Sequence, residues 1–228
     1  MPQHESWERE YRNPQLLTKD KTPRADVVRF SRWLKKEQKI SLDDATVLDL
    51  GSGIGRNAEY FAEQGAKVTG FELSQTALEI AKKCLAETDS RITYARQNIG
   101  EKYPLTNQSI DVCIDVMSSN SLNEKERTVY FAELGRVLKS GAHMLVRTLC
   151  KDGDVNAKNL LKISPGPEKD TYTMKELGLT ERVWSREDFT ADYSRIFTIL
   201  SLEKTTHYVQ LNGRSYKRNY WVAHMKKN

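Results

Sequence analysis

The run from Val47 to Gly55, reading Val-Leu-Asp-Leu-Gly-Ser-Gly-Ile-Gly, constrains this chain more than any other segment, because a short apolar strand leads straight into three alternating glycines. Glycine takes positive φ without a Cβ clash, so the triplet predicts a tight turn whose backbone another group can approach closely. A second apolar run, Val68 to Phe71, ends in Glu72, 21 positions after Gly51. Strand, glycine turn, helix and a second strand closing on a carboxylate make the first βαβ unit of a nucleotide-binding α/β sheet. The spacing departs from the dinucleotide pattern G-x-G-x-x-G, since here it is Asp49-x-Gly51-x-Gly53-x-Gly55.

The remaining pattern alternates as a doubly wound sheet requires. Strands are predicted at Thr46 to Leu50, Lys67 to Phe71, Ile92 to Arg96, Ile110 to Val116 and His143 to Leu149, with helices at about Asn57 to Gln64, after Ser74, and from about Glu124 to Leu138. Lys139-Ser140-Gly141 reads as the turn into the fifth strand. Upstream, Val27, Val28, Phe30, Trp33 and Leu34 form a helical stripe over Asp26 to Lys36, preceded by an aromatic-bearing arm, Trp7 to Tyr11. Residues 150 to 184 carry the weakest pattern and are expected to form a segment over the ligand side, part of a substrate lid. Ser185-Arg186-Glu187-Asp188 then reads as a capping-box helix start, with the helix running to about Arg195. Asn212-Gly213 is a type I′ hairpin signal between Ile196 to Leu211 and Arg214 to Met225.

At 228 residues the chain suits one α/β domain with a short extension. No stretch approaches the roughly 20 apolar residues that span a bilayer, and the N-terminus lacks an apolar signal region, so a cytoplasmic protein with no membrane partner is expected. Cys84, Cys113 and Cys150 are far apart and in no C-x-x-C pair, which suggests reduced thiols and no metal site. The net charge of +5 is uneven: Lys204 to Asn228 holds six Lys/Arg and no acid, whereas residues 1–203 carry 30 basic against 31 acidic side chains. Such a patch suits an anionic small molecule, a nucleic-acid backbone, or a solvated edge that discourages strand aggregation.

Asp49-x-Gly51-x-Gly53-x-Gly55 with Glu72 resembles motif I of the class I S-adenosyl-L-methionine (SAM) dependent methyltransferases. Arg136-Val137-Leu138-Lys139-Ser140-Gly141 resembles another family segment, with Ser140 and Ala142 in place of its usual proline and second glycine. Gly55-Arg56-Asn57 is similar to small-molecule members, the tellurite-resistance methyltransferases among them. The resemblance covers about residues 45 to 225. It implies a Rossmann-like seven-stranded doubly wound sheet whose last strand is antiparallel, with residues 1–45 as an N-terminal helical extension of the domain formed by 46–228.

The resemblance also implies site roles. Asp49, Gly51, Ser52, Gly53 and Gly55 would form the cofactor turn, Glu72 and Leu73 its ribose end, and Asn98 and Ile99 its adenine contacts, with Asn57 near the methionine end and Asp115 a cofactor-side or structural carboxylate. Tyr11 would close over the cofactor and Arg56 border the acceptor. With a two-residue turn, Val209 faces Tyr216 and His207 faces Arg218, so Arg214, Tyr216, Arg218 and Arg147 become acceptor-binding candidates. His207, whose ordinary pKa is near neutrality, is the candidate base.

The end of the fourth strand, Asp115-Val116-Met117-Ser118, lacks the Pro-Pro-aromatic motif of enzymes that methylate exocyclic amines of bases. Neither Cys113 nor Cys150 is placed as the nucleophile that cytosine-5 methylation needs. The reading is a SAM-dependent methyltransferase acting on a small acceptor, anionic acceptors included, as monomer or homodimer. An RNA or protein methyltransferase docking through the basic hairpin, with nucleic acid as a less favoured partner, and a non-catalytic SAM-binding protein remain as alternatives.

Overall fold

The computed structural model describes residues 3–14, 20–85, 91–211 and 214–228, without the side chains of 210, 211 and 214. Two helices, α1 (His4–Arg12) and α2 (Ala25–Lys36), precede the first strand. The alternating core follows as β1 (Thr46–Leu50), α3 (Arg56–Ala62), β2 (Lys67–Glu72), α4 (Gln75–Cys84), β3 (Ile92–Arg96), β4 (Ile110–Val116), α5 (Glu124–Val137) and β5 (Leu138–Leu149). The last third holds α6 (Val155–Ile163), β6 (Thr171–Met174), β7 (Leu179–Arg182), α7 (Arg186–Tyr193), β8 (Phe197–Leu211) and β9 (Arg214–Lys227).

Seven strands form one sheet in the order β3-β2-β1-β4-β5-β9-β8, with β9 antiparallel to both of its neighbours. The doubly wound fold expected from the alternating pattern is therefore present, and its antiparallel strand lies between the fifth and sixth. From β1 the chain winds outward to β3, then crosses back to β4 and winds the other way. Strand order thus reverses between β1 and β4, where Leu50 lies beside Asp115. In open α/β sheets the crevice at such a reversal, beyond the carboxyl ends of the strands, is where ligands bind.

Both sheet faces are covered, which is why the inner strands carry apolar residues on both sides. On one face Val27, Phe30 and Leu34 of α2 and Phe61 of α3 pack with Val47, Val68 and Ile114. On the other, Tyr130 and Leu134 of α5 and Phe189 and Tyr193 of α7 pack with Leu48, Leu50 and Cys113. Helix starts are fixed locally: Ser74, Asn123, Asp154 and Ser185 each accept a hydrogen bond from a first-turn backbone N–H.

Three expectations are corrected. Lys139 to Gly141 is no turn: β5 begins at Leu138, and Gly141 takes φ 78° inside the strand. The segment from 150 to 184 is not a plain lid loop but a helix and a two-stranded antiparallel sheet, β6–β7. Helix α7 ends at Tyr193, short of Arg195. The hairpin register agrees with the sequence reading at Val209–Tyr216 and His207–Arg218; the Asn212-Gly213 turn lies outside the described residues.

Candidate active site

A cleft of about 1090 Å³ opens over the carboxyl ends of β1, β2 and β4 and runs beneath α1, α6 and the β6–β7 pair. Its floor begins at the glycine turn. Gly51 and Gly53 hold φ at 71° and 56°, where side chains are strained. A Cβ on Gly51 would run into Ser118, and one on Gly53 would lie 2.8 Å from the Tyr11 hydroxyl. The first glycine thus allows β1 and β4 loops to close together, while the second keeps space on the cleft side. Gly55 caps α3 and lies outside the cleft lining.

Glu72 organises this turn. One carboxylate oxygen accepts from Gly53 N at 2.8 Å, the other from Leu73 N at 2.7 Å and Ser74 N at 2.8 Å. Burial raises its pKa, opposed by these three N–H groups. Asp49, behind the turn, is fully buried, and its Oδ2 has no hydrogen-bond partner among the described residues. Burial pushes its pKa up to about 7, with the Glu72 and Asp115 carboxylates adding to the effect. Three buried carboxylates around one glycine turn produce a negative field. That field opposes the pyrophosphate of a dinucleotide and suits SAM, which carries an ammonium and a sulfonium. The Glu72 carboxylate and the space above Gly53 therefore fit this cofactor, while Asp49 adds its charge from behind the turn, outside the cleft lining.

Helix α1 lies across the cleft. Glu8 accepts from Ser74 Oγ at 2.7 Å and Thr76 Oγ1 at 2.6 Å at the start of α4; despite partial burial, these bonds hold its carboxyl down at about 2. Toward the other end of the cleft, Gln3 exchanges two hydrogen bonds with the Thr180 backbone, Ser6 Oγ donates to Gly178 O, and Arg9 donates to Leu177 O. One helix thus ties the cofactor end to the β6–β7 pair. Burial next to Glu72 keeps the Tyr11 hydroxyl protonated, its pKa well above the ordinary value.

The arginines expected to bind acceptor reach the cleft but are already paired. Arg147 Nε lies 3.0 Å from Asp26 Oδ2, and its guanidinium stacks 3.7 Å from the Tyr220 ring centre. Arg218 Nε donates to Asp154 Oδ2 at 3.1 Å, and its Nη2 donates to the Tyr172 hydroxyl at 3.0 Å. Arg218 is balanced by buried Asp154, whereas Arg147 shares buried Asp26 with Arg29; a one-dimensional reading of the hairpin connected neither carboxylate to them. His207 and Tyr216 line the same wall; burial and then Arg147 lower the His207 pKa. The Arg214 side chain lies outside the described residues.

Other expected residues divide similarly. Ser52, Leu73 and Ile99 line the cleft. Arg56 lines it too, while pairing with Asp20 at 3.5 Å. Asn57 accepts from Arg24 N at 3.0 Å, fixing the start of α2. Asn98 uses its Oδ1 on Gly100 N at 2.9 Å, so that oxygen holds the loop after β3. Asp115 lies outside the cleft lining, under α5, accepting from Tyr130 Oη at 2.7 Å and Ser118 N at 3.1 Å. Of its two sequence readings the structural one describes this geometry.

Several cleft residues were not read from the sequence. Met117, at the end of β4, holds φ at 67°, a conformation that an unbranched non-glycine residue adopts only under surrounding constraint. Leu149, Leu160, Met174, Val209 and Tyr220 give the acceptor end an apolar wall. Glu181, 8% exposed, is a buried carboxylate in that wall. Only its alternation with Leu179 and Val183, two positions to either side, hinted at burial.

Residues 47–141 match a family model described as a methyltransferase domain. The ubiquinone biosynthesis O-methyltransferase of Vibrio vulnificus is 30% identical over 127 residues, 52% of either chain, so this chain spans about half the length of that curated relative. Among solved structures, the 1,6-didemethyltoxoflavin-N1-methyltransferase of Burkholderia thailandensis, with S-adenosylhomocysteine bound, superposes with a TM-score of 0.68 at 18% identity, covering 99% of this chain and 87% of that one. TehB from Haemophilus influenzae gives 0.65 at 15% identity, covering 90% of this chain and 62% of that one. Residues 47–141 thus match a methyltransferase domain in sequence, and the seven-stranded sheet to which they belong is completed by the rest of the chain.

Proposed function

We propose that this chain transfers the methyl group of SAM to a small acceptor held in the apolar half of the cleft. The observation that carries the reading is the cluster of buried carboxylates around the glycine turn, with Asp49 Oδ2 unpartnered, beside a cleft large enough for two ligands. Bound there, SAM supplies a methyl group on a sulfonium, open to in-line displacement. Gly53 leaves room for its amino-acid half, and Glu72 keeps one acceptor site, on Oε2, for a ribose hydroxyl besides the three used on the backbone. Helix α1 and the β6–β7 pair exclude water, and the cleft walls align the two reactants, which is most of what such a displacement requires. Because Arg147 and Arg218 are paired, neutral acceptors fit better than anionic ones. The small-molecule enzymes among the relatives support this acceptor class.

The test is release of S-adenosylhomocysteine from labelled SAM with phenols, catechols, N-heterocycles, RNA and protein extracts offered in parallel. Turnover with a small molecule is the expected result. Label entering only macromolecules would replace this acceptor class, and SAM binding without any turnover would leave a binding protein.

The carboxylate cluster also sets a pH dependence. A cation over the turn favours ionised Asp49, so below about pH 7 binding must expel a proton. SAM affinity is expected to rise with pH up to about 7, by at most about tenfold per unit for one proton, and to level off above it. Calorimetry on wild type and Asp49→Asn checks this: the variant should bind more weakly above pH 7 and lose this part of the slope.

A further inference from the structure

Glu181 is a buried acid of the cleft wall at the acceptor end, and its direct hydrogen-bond partners are neutral side chains. Its Oε2 accepts from Tyr172 Oη at 2.7 Å and its Oε1 from Asn120 Nδ2 at 3.0 Å. Each oxygen of an ionised carboxylate offers about two acceptor sites, so both retain one. The side chain is buried yet lines the cleft. It stands next to the Ser119–Ser121 turn that follows β4, on the acceptor side of the sheet reversal. Arg218, whose charge acts on it, donates to the same Tyr172 hydroxyl rather than to Glu181 itself. Such a group is built to receive a hydrogen bond from something entering the cleft.

We infer that Glu181 is the acceptor-recognising carboxylate of this site, taking a hydrogen bond from an O–H or N–H of a neutral acceptor and then its proton. The inference rests on the methyl-transfer reading above and deepens it by naming the acceptor class. In the step, the heteroatom–hydrogen bond breaks and the proton passes to a Glu181 oxygen. The heteroatom's electron pair bonds the methyl carbon, and the pair of the broken sulfur–methyl bond stays on sulfur. His207 is then not needed as a base. Tyr172 and Asn120 hold the carboxylate in place, so they are positioning residues.

Burial raises the Glu181 pKa, while Tyr172 from β6, Arg218 from β9 and Asn120 oppose the rise. Its ionised form is therefore lost at a higher pH than for a solvated glutamate. Acceptor binding should weaken on acidification through that pKa, since a protonated Glu181 has lost an acceptor oxygen.

The test uses the full chain saturated with S-adenosylhomocysteine, with catechol, its dimethyl ether veratrole, and benzoate as calorimetric probes. Wild type is expected to bind catechol at least tenfold more tightly than either other probe, and to lose that preference as the pH falls. Glu181→Gln should remove most of the preference and its pH dependence while S-adenosylhomocysteine affinity stays within twofold; Glu181→Asp should restore part of it. If Glu181→Gln does not fold, the wild-type preference and its pH dependence carry the decision. No catechol binding, a preference for benzoate or veratrole, or an unchanged preference in Glu181→Gln would each overturn the assignment. Failure of wild type to bind S-adenosylhomocysteine would instead sink the methyl-transfer reading beneath it.

Discussion

Glu72→Ala is expected to weaken SAM binding by one to two orders of magnitude and to lower stability at the same time. The side chain does two things. Its oxygens accept from Gly53, Leu73 and Ser74, so its removal leaves three N–H groups at the turn without their acceptor. Unsatisfied buried donors cost about 1–3 kcal/mol each, with relaxation and water entry recovering part of the sum. The ribose also loses a charged acceptor, worth about 1.5–3 kcal/mol, or roughly 10- to 150-fold in affinity. Calorimetric titration and thermal unfolding on one preparation separate the two losses. A lowered melting temperature with SAM affinity changed less than twofold would restrict Glu72 to holding the turn.

Asp154→Ala should be the most destabilising substitution at the acceptor end. Its side chain is fully buried, caps α6 through Ala157 N at 2.7 Å, accepts from Asn219 N at 2.8 Å and pairs with Arg218. Breaking a buried pair from one side costs about 3–5 kcal/mol, because Arg218 then loses its directly bonded carboxylate and is left with the Tyr172 hydroxyl and the Glu181 charge beyond it. For a chain of 228 residues that corresponds to a fall in melting temperature on the order of 10 °C. SAM affinity should change little, since the cofactor half lies at the other end of the cleft. A shift below about 2 °C would mean that solvent reaches Arg218 and replaces its partner.

What the sequence made legible follows from range. Strands β1 and β4 are mostly apolar runs and β3 alternates, each closed by turn residues, and the glycine triplet needs only its own φ values, so local pattern was enough. The hairpin register was equally local, because a two-residue turn determines which residues face each other. Residues 150 to 184 were opaque for a physical reason: α6 presents Val155 and Ile163 to solvent at 70% and 75% exposure, which blurs any amphipathic stripe, and β6 and β7 are only four residues each. The arginines were visible, but not their neutralisation, since Arg147 meets Asp26 and Arg218 meets Asp154 only through the tertiary fold. Glu181 likewise acquires its meaning from Asn120, 61 positions away.

Helix α1, nine residues long, has a consequence for the order of events. Glu8 fastens it to α4, while Gln3, Ser6 and Arg9 fasten it to the β6–β7 pair. It acts as a common latch on two doors. On the proposed function, a SAM that enters beneath this helix unfastens the same element that steadies the acceptor's cover, so departure of the spent cofactor and of the methylated product would be linked in time, and a slow latch would limit every turnover whichever acceptor is used.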